Sequence, residues 1–316
     1  MPDQSPTILT VTLNSAVDRV ILLDELVLDR PNTARKLTYS VGGKGLDTSV
    51  VLRHLGVNTV GLAFLAGKKG RLLSRLVRSY GIRLKAVWVE GETRGMDVIA
   101  ETRNGRVTHI REGDMIIREG DVRRFVRTYL TSLKSCSWVV MSGSIPASLP
   151  SSIYCELVQL ASQAGVPSLV DSSQAAVLDA LTPPPSILKL NRREFIETFN
   201  LQAGDFQGLL SQAQQVREQY SIPNLVITCA EEGILAITEA GHFHALAPWQ
   251  KAVNPAGAGD AVSAGIVWRL SLGEGWENAL RWAAATAAAV LLTEGTADCH
   301  MEDIRHIFPD TIVQRL

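Results

Sequence analysis

From Thr7 to Thr228 the chain alternates short β-branched runs with stretches whose apolar residues recur every three or four positions. Such alternation admits few folds, because successive parallel strands need a crossover, and the crossover helix must cover a face of the sheet. Strand-like runs are Thr7 to Leu13, Thr59 to Leu65, Trp138 to Met141, Ser168 to Val170, Ile187 to Leu190 and Leu225 to Thr228. Helical spacing marks Leu46 to Leu55, Gly70 to Tyr80, Asp121 to Leu133, Ser152 to Ala164 and Phe206 to Tyr220, with another helix starting near Asn191. The fold class expected is α/β, a Rossmann-like, mostly parallel sheet with helices on both faces.

Two β-rich segments, about 14–41 and 93–112, interrupt this scheme. The stretch from Lys85 to Arg111 reads as β-rich throughout, with Ala86 to Val89 grouped in it and Asn104-Gly105 as a hairpin turn. We expect the two segments to form a small β-sheet lid on a single α/β domain spanning residues 1–316. An antiparallel pair, Ile234 to Thr238 and His242 to Ala245, turns at Glu239-Ala240-Gly241; the remainder reads as helical, over Ala258 to Leu272, Trp276 to Leu292 and Met301 to Phe308. Ligands of open α/β sheets sit beyond the carboxyl ends of the strands. The loops after Leu13, Val41, Met141, Leu190, Thr228 and Val253 are therefore where a site is expected.

Charge narrows the partners. Lys and Arg number 31 against 32 Asp and Glu, with no long run of either sign. A nucleic-acid surface or a polybasic membrane patch needs clustered cations, so neither partner is expected. Cys136, Cys155, Cys229 and Cys299 form no C-x-x-C pair, which predicts neither a zinc site nor a redox dithiol and fits a cytoplasmic protein. Met1 to Pro6 lack the character of a secretory leader, and the apolar stretch Trp282 to Leu292 is shorter than the ~20 residues that span a bilayer. The six histidines make no metal pattern; His242-x-His244 reads as a surface feature.

Asn254-Pro255-Ala256-Gly257-Ala258-Gly259-Asp260 precedes a helix of small and apolar residues. Glycines at a helix start bring backbone N–H groups and the positive end of the dipole to bear on an anion. Asp260 would repel a phosphate there unless it has its own task, such as taking a proton from an attacking hydroxyl. On these residues alone an ordinary glycine-rich helix start stays open. Val262 breaks a dinucleotide fingerprint, and no Gly-Lys-Ser/Thr completes a P-loop. Gly42-Gly43-Lys44-Gly45 is a second glycine loop with a cation, and Ser142-Gly143-Ser144 follows a strand; each also reads as a plain turn.

Taken in order, these segments resemble the PfkB-type carbohydrate kinases of ribokinase-like fold, in particular the branch of 1-phosphofructokinases and tagatose-6-phosphate kinases. The resemblance rests on TVTLNSAVD (10–18), VGGKGLDTSVVLRHLG (41–56), GETR (91–94), SGSIP (142–146), VDSS (170–173), KLNRRE (189–194), VNPAGAGDAVSAG (253–265) and Gly295-Thr296. It implies an ATP-dependent kinase acting on a hydroxyl of a sugar phosphate, with Asp260 as base and the N–H groups of Ala256, Gly257, Ala258 and Gly259 as anion hole. It assigns Asp18, Gly42, Gly43, Lys44, Asp47, Arg94 and Ser144 to the sugar, and Lys189, Thr228 and Gly233 to the nucleotide. Asn191 and Glu194 would serve the nucleotide phosphates and hold Mg²⁺ through water. A homodimer joined through the β lid is left open by the same resemblance.

Departures fall mostly in the sugar half. Asp47 replaces the usual Asn, exchanging a donor-and-acceptor group for one that only accepts when ionised. Pro31-Asn32-Thr33 lacks an expected cation, Thr228 to Gly233 lacks the first glycine of the nucleotide loop, and Pro255 lacks a hydroxyl. A kinase for an unphosphorylated sugar, an amino sugar or a nucleoside thus stays open, as does a non-catalytic sugar-binding protein on the same scaffold.

Overall fold

The structure, a computed structural model, describes residues 6–113 and 115–316; the leader reading of residues 1–5 lies outside the described residues. The chain begins β1 (Thr7–Thr12), β2 (Ala16–Leu23), β3 (Lys36–Gly42), α1 (Lys44–His54), β4 (Asn58–Leu65), α2 (Gly67–Ser79) and β5 (Arg83–Trp88). It continues through β6 (Glu90–Gly91), β7 (Arg94–Glu101), β8 (Val107–Glu112), β9 (Met115–Ile116), α3 (Glu119–Leu133), β10 (Trp138–Ser142), α4 (Ile153–Gln163) and β11 (Ser168–Asp171). Then come α5 (Ala175–Asp179), β12 (Ile187–Asn191), α6 (Arg192–Thr198), α7 (Phe206–Gln219), β13 (Leu225–Thr228), β14 (Ile234–Thr238) and β15 (Gly241–Leu246). The chain closes with α8 (Ala258–Ser271), α9 (Trp276–Val290), α10 (Met301–Ile307) and β16 (Ile312–Arg315).

A ten-stranded sheet runs β16-β15-β14-β13-β12-β11-β10-β1-β4-β5. Strands β5 through β13 are parallel, and the last three pair antiparallel. Alternate residues serve opposite layers: Ile8 joins Val140, Leu169, Ile187 and Val226 under α1, α8, α9 and α10. Leu9 and Val11 face Phe125, Tyr129, Leu157 and Leu209 on the other side. Burial on both faces explains why these strands read as near-continuous apolar runs. From β1 the chain first builds outward to β4 and β5, then returns to lay down β10 to β13 on the other flank. That reversal puts the switch point, and the site, at the carboxyl end of β1.

The two β-rich segments do form a small sheet of their own, ordered β3-β2-β7-β8, with β7 and β8 antiparallel across the Asn104-Gly105 turn. Two expectations are corrected. Ala86 to Val89 belongs instead with β5, the parallel edge strand beside β4, whose one covered face gave it a half-polar pattern. The end of the chain is not all helical: β16 pairs with β15, held by backbone bonds with Ile312 and Arg315 exposed, so no alternation marks it. The short α5 was not anticipated. Among the described residues no helix is long and apolar enough to cross a membrane.

Ala230, in the loop short of a glycine, takes φ +50°. An L-residue in that region carries roughly 1 kcal/mol of strain. Ala230→Gly should raise stability by about 0.5 kcal/mol after the added flexibility of the unfolded chain is subtracted. A urea midpoint unchanged or lowered would show that the loop is relaxed as it stands.

Candidate active site

The glycine-rich segment turns into α8 through Gly257, whose φ of +90° and close approach to Ala297, where a Cβ would overlap the backbone, admit no side chain. Ala256 donates its N–H to Asn254 Oδ1 at 3.0 Å, and Ala258 bonds weakly to Pro255 O at 3.3 Å. The free donors of this turn are therefore Gly257, Gly259 and Asp260 rather than the whole Ala256–Gly259 set. Asp260 sits in the first turn, only 6 % exposed, with Oδ1 unpartnered. Burial first, then the Asp171 carboxylate, pushes its pKa up to about 7, against the pull of Lys44 and Lys189.

Beneath this turn lies a charged cluster that joins strands β11 and β12 to helices α1, α6 and α8. Asp171, at the end of β11, accepts from Lys189 Nζ at 2.7 Å, Lys44 Nζ at 3.3 Å and Ser263 Oγ at 3.3 Å. Burial alone would raise its carboxyl pKa, but Lys189 and then Lys44 outweigh it and hold it at about 2. Lys189 comes from β12 and is buried; a Cβ on Gly259 would stand 3.6 Å from its Nζ, so its charge reinforces the helix N-terminus. Lys44 also reaches Glu194 Oε1 at 3.2 Å, and Asp171 chiefly, with Glu194, raises its pKa. Asn191 and Glu194 close a reciprocal capping box on α6: Glu194 N–H donates to Asn191 Oδ1, and Asn191 N–H to Glu194 Oε2. Both Glu194 oxygens thus have protein partners, and no group of three His, Cys, Asp or Glu among the described residues could hold a metal directly.

The residues assigned to the sugar gather where β1, the small sheet and α1 meet. Gly42 runs so close to Asp18 that a Cβ would overlap its carboxylate, and Gly43 is the left-handed N-cap of α1. Burial pushes the Asp18 pKa up to about 6, countered by Arg94. Asp47 lies in the first turn of α1, 5 % exposed, with Oδ1 unpartnered. Burial, then Asp260 and Asp18, hold its pKa well above the usual carboxylate range. Arg94 donates to Asn14 O at 3.3 Å, and Asn14 donates its side-chain amide to Ser144 Oγ at 3.0 Å. Burial, with Arg111 beside it, lowers the Arg94 pKa. Lys44, which the resemblance assigns to the sugar, pairs in the structure with Asp171 and Glu194 in the central cluster.

On the other side of the α8 turn opens a cleft of about 830 Å³. Thr228 and Gly233 line it, together with Asn191, Ala258 and Gly259. Sequence reasoning missed its apolar walls, Trp249 on one loop, Ala284 and Ala288 on α9, and Leu291 just after it. Trp249 alone carried a signal, a large aromatic left 74 % exposed in a loop. Asp171, Asn14 and Arg111 were also missed as site members; Asp171 stood in a quoted motif without a role.

A buried carboxyl at a helix N-terminus, between a polar pocket and a cleft, fits a phosphotransferase that takes an alcohol as acceptor. A model of the pfkB family carbohydrate kinases matches residues 10–304, and the chain belongs to that family. It is 28 % identical over 311 residues to the 1-phosphofructokinase of Bacillus subtilis, covering 98 % of this chain and 100 % of that one. Tagatose-6-phosphate kinase of Staphylococcus epidermidis is 28 % identical over 303 residues, covering 95 % and 97 %. The fold matches that of Escherichia coli phosphofructokinase-2 (TM-score 0.88, 21 % identity, 96 % and 98 % covered). It also matches Arabidopsis thaliana ribokinase (TM-score 0.77, 17 % identity, 96 % and 99 % covered), so the architecture is ribokinase-like.

Proposed function

We propose that the protein transfers the γ-phosphoryl group of ATP to a hydroxyl of a sugar phosphate. The observation that carries this reading is Asp260: buried, unpartnered at Oδ1, with a pKa near 7, one residue from the cleft-lining Gly259. A base is most effective when its pKa lies near the working pH. Asp260 takes the acceptor's proton as that oxygen attacks the γ-phosphorus and the bond to the β-phosphate oxygen breaks. Gly257 and Gly259 N–H groups, with Lys189 below, offset the charge on the transferred group; positioning and electrostatics of this kind account for most of the catalysis in phosphoryl transfer. The apolar walls around Trp249 suit a flat base.

Bound with the nucleotide, Mg²⁺ would further neutralise the phosphates. Glu194 and Asn191 fit such an ion through its water shell, which Mg²⁺ largely keeps. Arg94, with Arg111 beside it, is the cationic group suited to the acceptor's own phosphate. Names of the relatives point the same way, to fructose 1-phosphate or tagatose 6-phosphate as acceptor.

The test is an ATP-consumption screen over sugars and sugar phosphates. Turnover should appear with phosphorylated acceptors and vanish in Asp260→Asn. ATP hydrolysis coupled to no acceptor and unchanged in that variant would leave the scaffold as a binding protein.

A further inference from the structure

We infer that Glu92 and Thr93 are positioning residues, which lock the loop before β7 onto the start of α2 and so fix Arg94 for the acceptor's phosphate. The inference rests on the kinase reading above and concerns how that site tells a phosphorylated acceptor from a plain one.

The need arises in α2. Its N-cap is Ala66, which makes no side-chain cap bond, and its first turn carries Lys68 and Lys69 but no acid. A helix start of this kind leaves N–H donors without intrahelical partners and its positive end unanswered. Two residues of the 91–94 motif supply both from a distant stretch of chain. Lys69 N–H donates to Glu92 Oε1 at 2.5 Å. Ala66 N–H donates to Thr93 Oγ1 at 2.8 Å, and Thr93 returns its own N–H to Ala66 O at 3.0 Å. Thr93 is fully buried. Glycines close in around the same loop. A Cβ on Gly67 would overlap the Glu92 carboxylate, one on Gly70 would stand 2.9 Å from Thr93 Oγ1, and one on Gly113 would stand 3.2 Å from Arg94 Cα.

Arg94 follows directly as the first residue of β7, beside Ala16 of β2. Its own side chain is held only by a long bond, from Nη2 to Asn14 O at 3.3 Å. The aim of its guanidinium is therefore set by the backbone that Glu92 and Thr93 pin. A guanidinium takes a phosphate through two parallel bonds, so its plane has to be fixed. A group ordered before binding also spares the cost of ordering it on binding. Residues that served α2 alone would stabilise the helix and leave the choice of acceptor untouched.

Steady-state kinetics with fructose 1-phosphate against fructose, and with tagatose 6-phosphate against tagatose, separate these cases. Thr93→Val keeps the shape and removes the acceptor oxygen; Glu92→Ala removes the carboxylate. KM for the phosphorylated sugar should rise about tenfold in Thr93→Val and about fivefold in Glu92→Ala, since a slight misplacement of a binding group is costly. The kcat, the KM for ATP and kcat/KM for the plain sugar should stay within about twofold of native. Thr93→Ser and Glu92→Gln, which keep an oxygen acceptor, should restore most of the lost KM. Glu92 is only half-buried, so its variants carry the test where Thr93→Val does not fold. If the folded variants keep the native KM for the phosphorylated sugar, or if all substrates shift together, the inference is overturned and the pair only caps α2. If the native enzyme does not prefer the phosphorylated member of either pair, the sugar-phosphate reading itself fails, and this inference with it.

Discussion

Asp260→Asn should lower kcat by about 10³-fold or more while moving KM for either substrate little, since proton transfer by a positioned base contributes up to roughly 10⁴-fold. In the native enzyme kcat/KM should rise about tenfold per pH unit below the Asp260 pKa of about 7 and level off above it. The Asn variant should lack that limb. The same change should stabilise the protein. Burial raises the Asp260 pKa above its ordinary 3.8, so the folded state holds the proton more tightly than the unfolded chain. The resulting stability is full below 3.8 and is lost as pH rises towards about 7. Removing the carboxylate should therefore gain about 2–4 kcal/mol at pH 8 and little at pH 4. Thermal melts at the two pH values check this; equal gains at both would mean that the raised pKa is not the cause.

The second large effect concerns the cluster rather than the base. Lys189→Met leaves Asp171 buried with its 2.7 Å partner gone. Breaking a buried pair from one side lowers stability by about 3–5 kcal/mol, or roughly 10 °C in melting temperature. By contrast Arg193→Met, at an exposed pair with Glu197, should change it by under about 1 kcal/mol. Asp171 is the opposite of Asp260 in sign: with its pKa held at about 2, its contribution is present above 3.8 and is lost as pH falls towards 2. The gap between native protein and Lys189→Met should narrow over that acid range. A melting temperature within about 2 °C of native at neutral pH would show that Lys44 alone neutralises Asp171.

The alternation of β-branched runs and helical spacing was enough to give the parallel core, because each strand is buried on both faces and so must be apolar along its length. The glycine loops were legible for a related reason: Gly257 and Gly43 hold left-handed backbones at helix starts, a demand that local sequence has to meet. Strand β16 was not legible, nor was the sheet to which β5 belongs, since edge strands are held by backbone bonds that leave little periodic mark. Nor were the walls of the cleft, because Trp249 and Ala288 come from separate elements that only packing brings together.

For the site, the sequence by itself determined which chemical groups are present and which of them start helices, because glycines, caps and a first-turn carboxylate are local. Only the tertiary structure decided how those groups pair. It joined Asp171 to Lys189, Lys44 and Ser263 across two strands and two helices. It also paired Lys44 with two carboxylates, and left Asp47 buried within the field of Asp260 and Asp18. Charge acts through space and is strengthened by burial, so its consequences follow from distances that the order of residues does not contain.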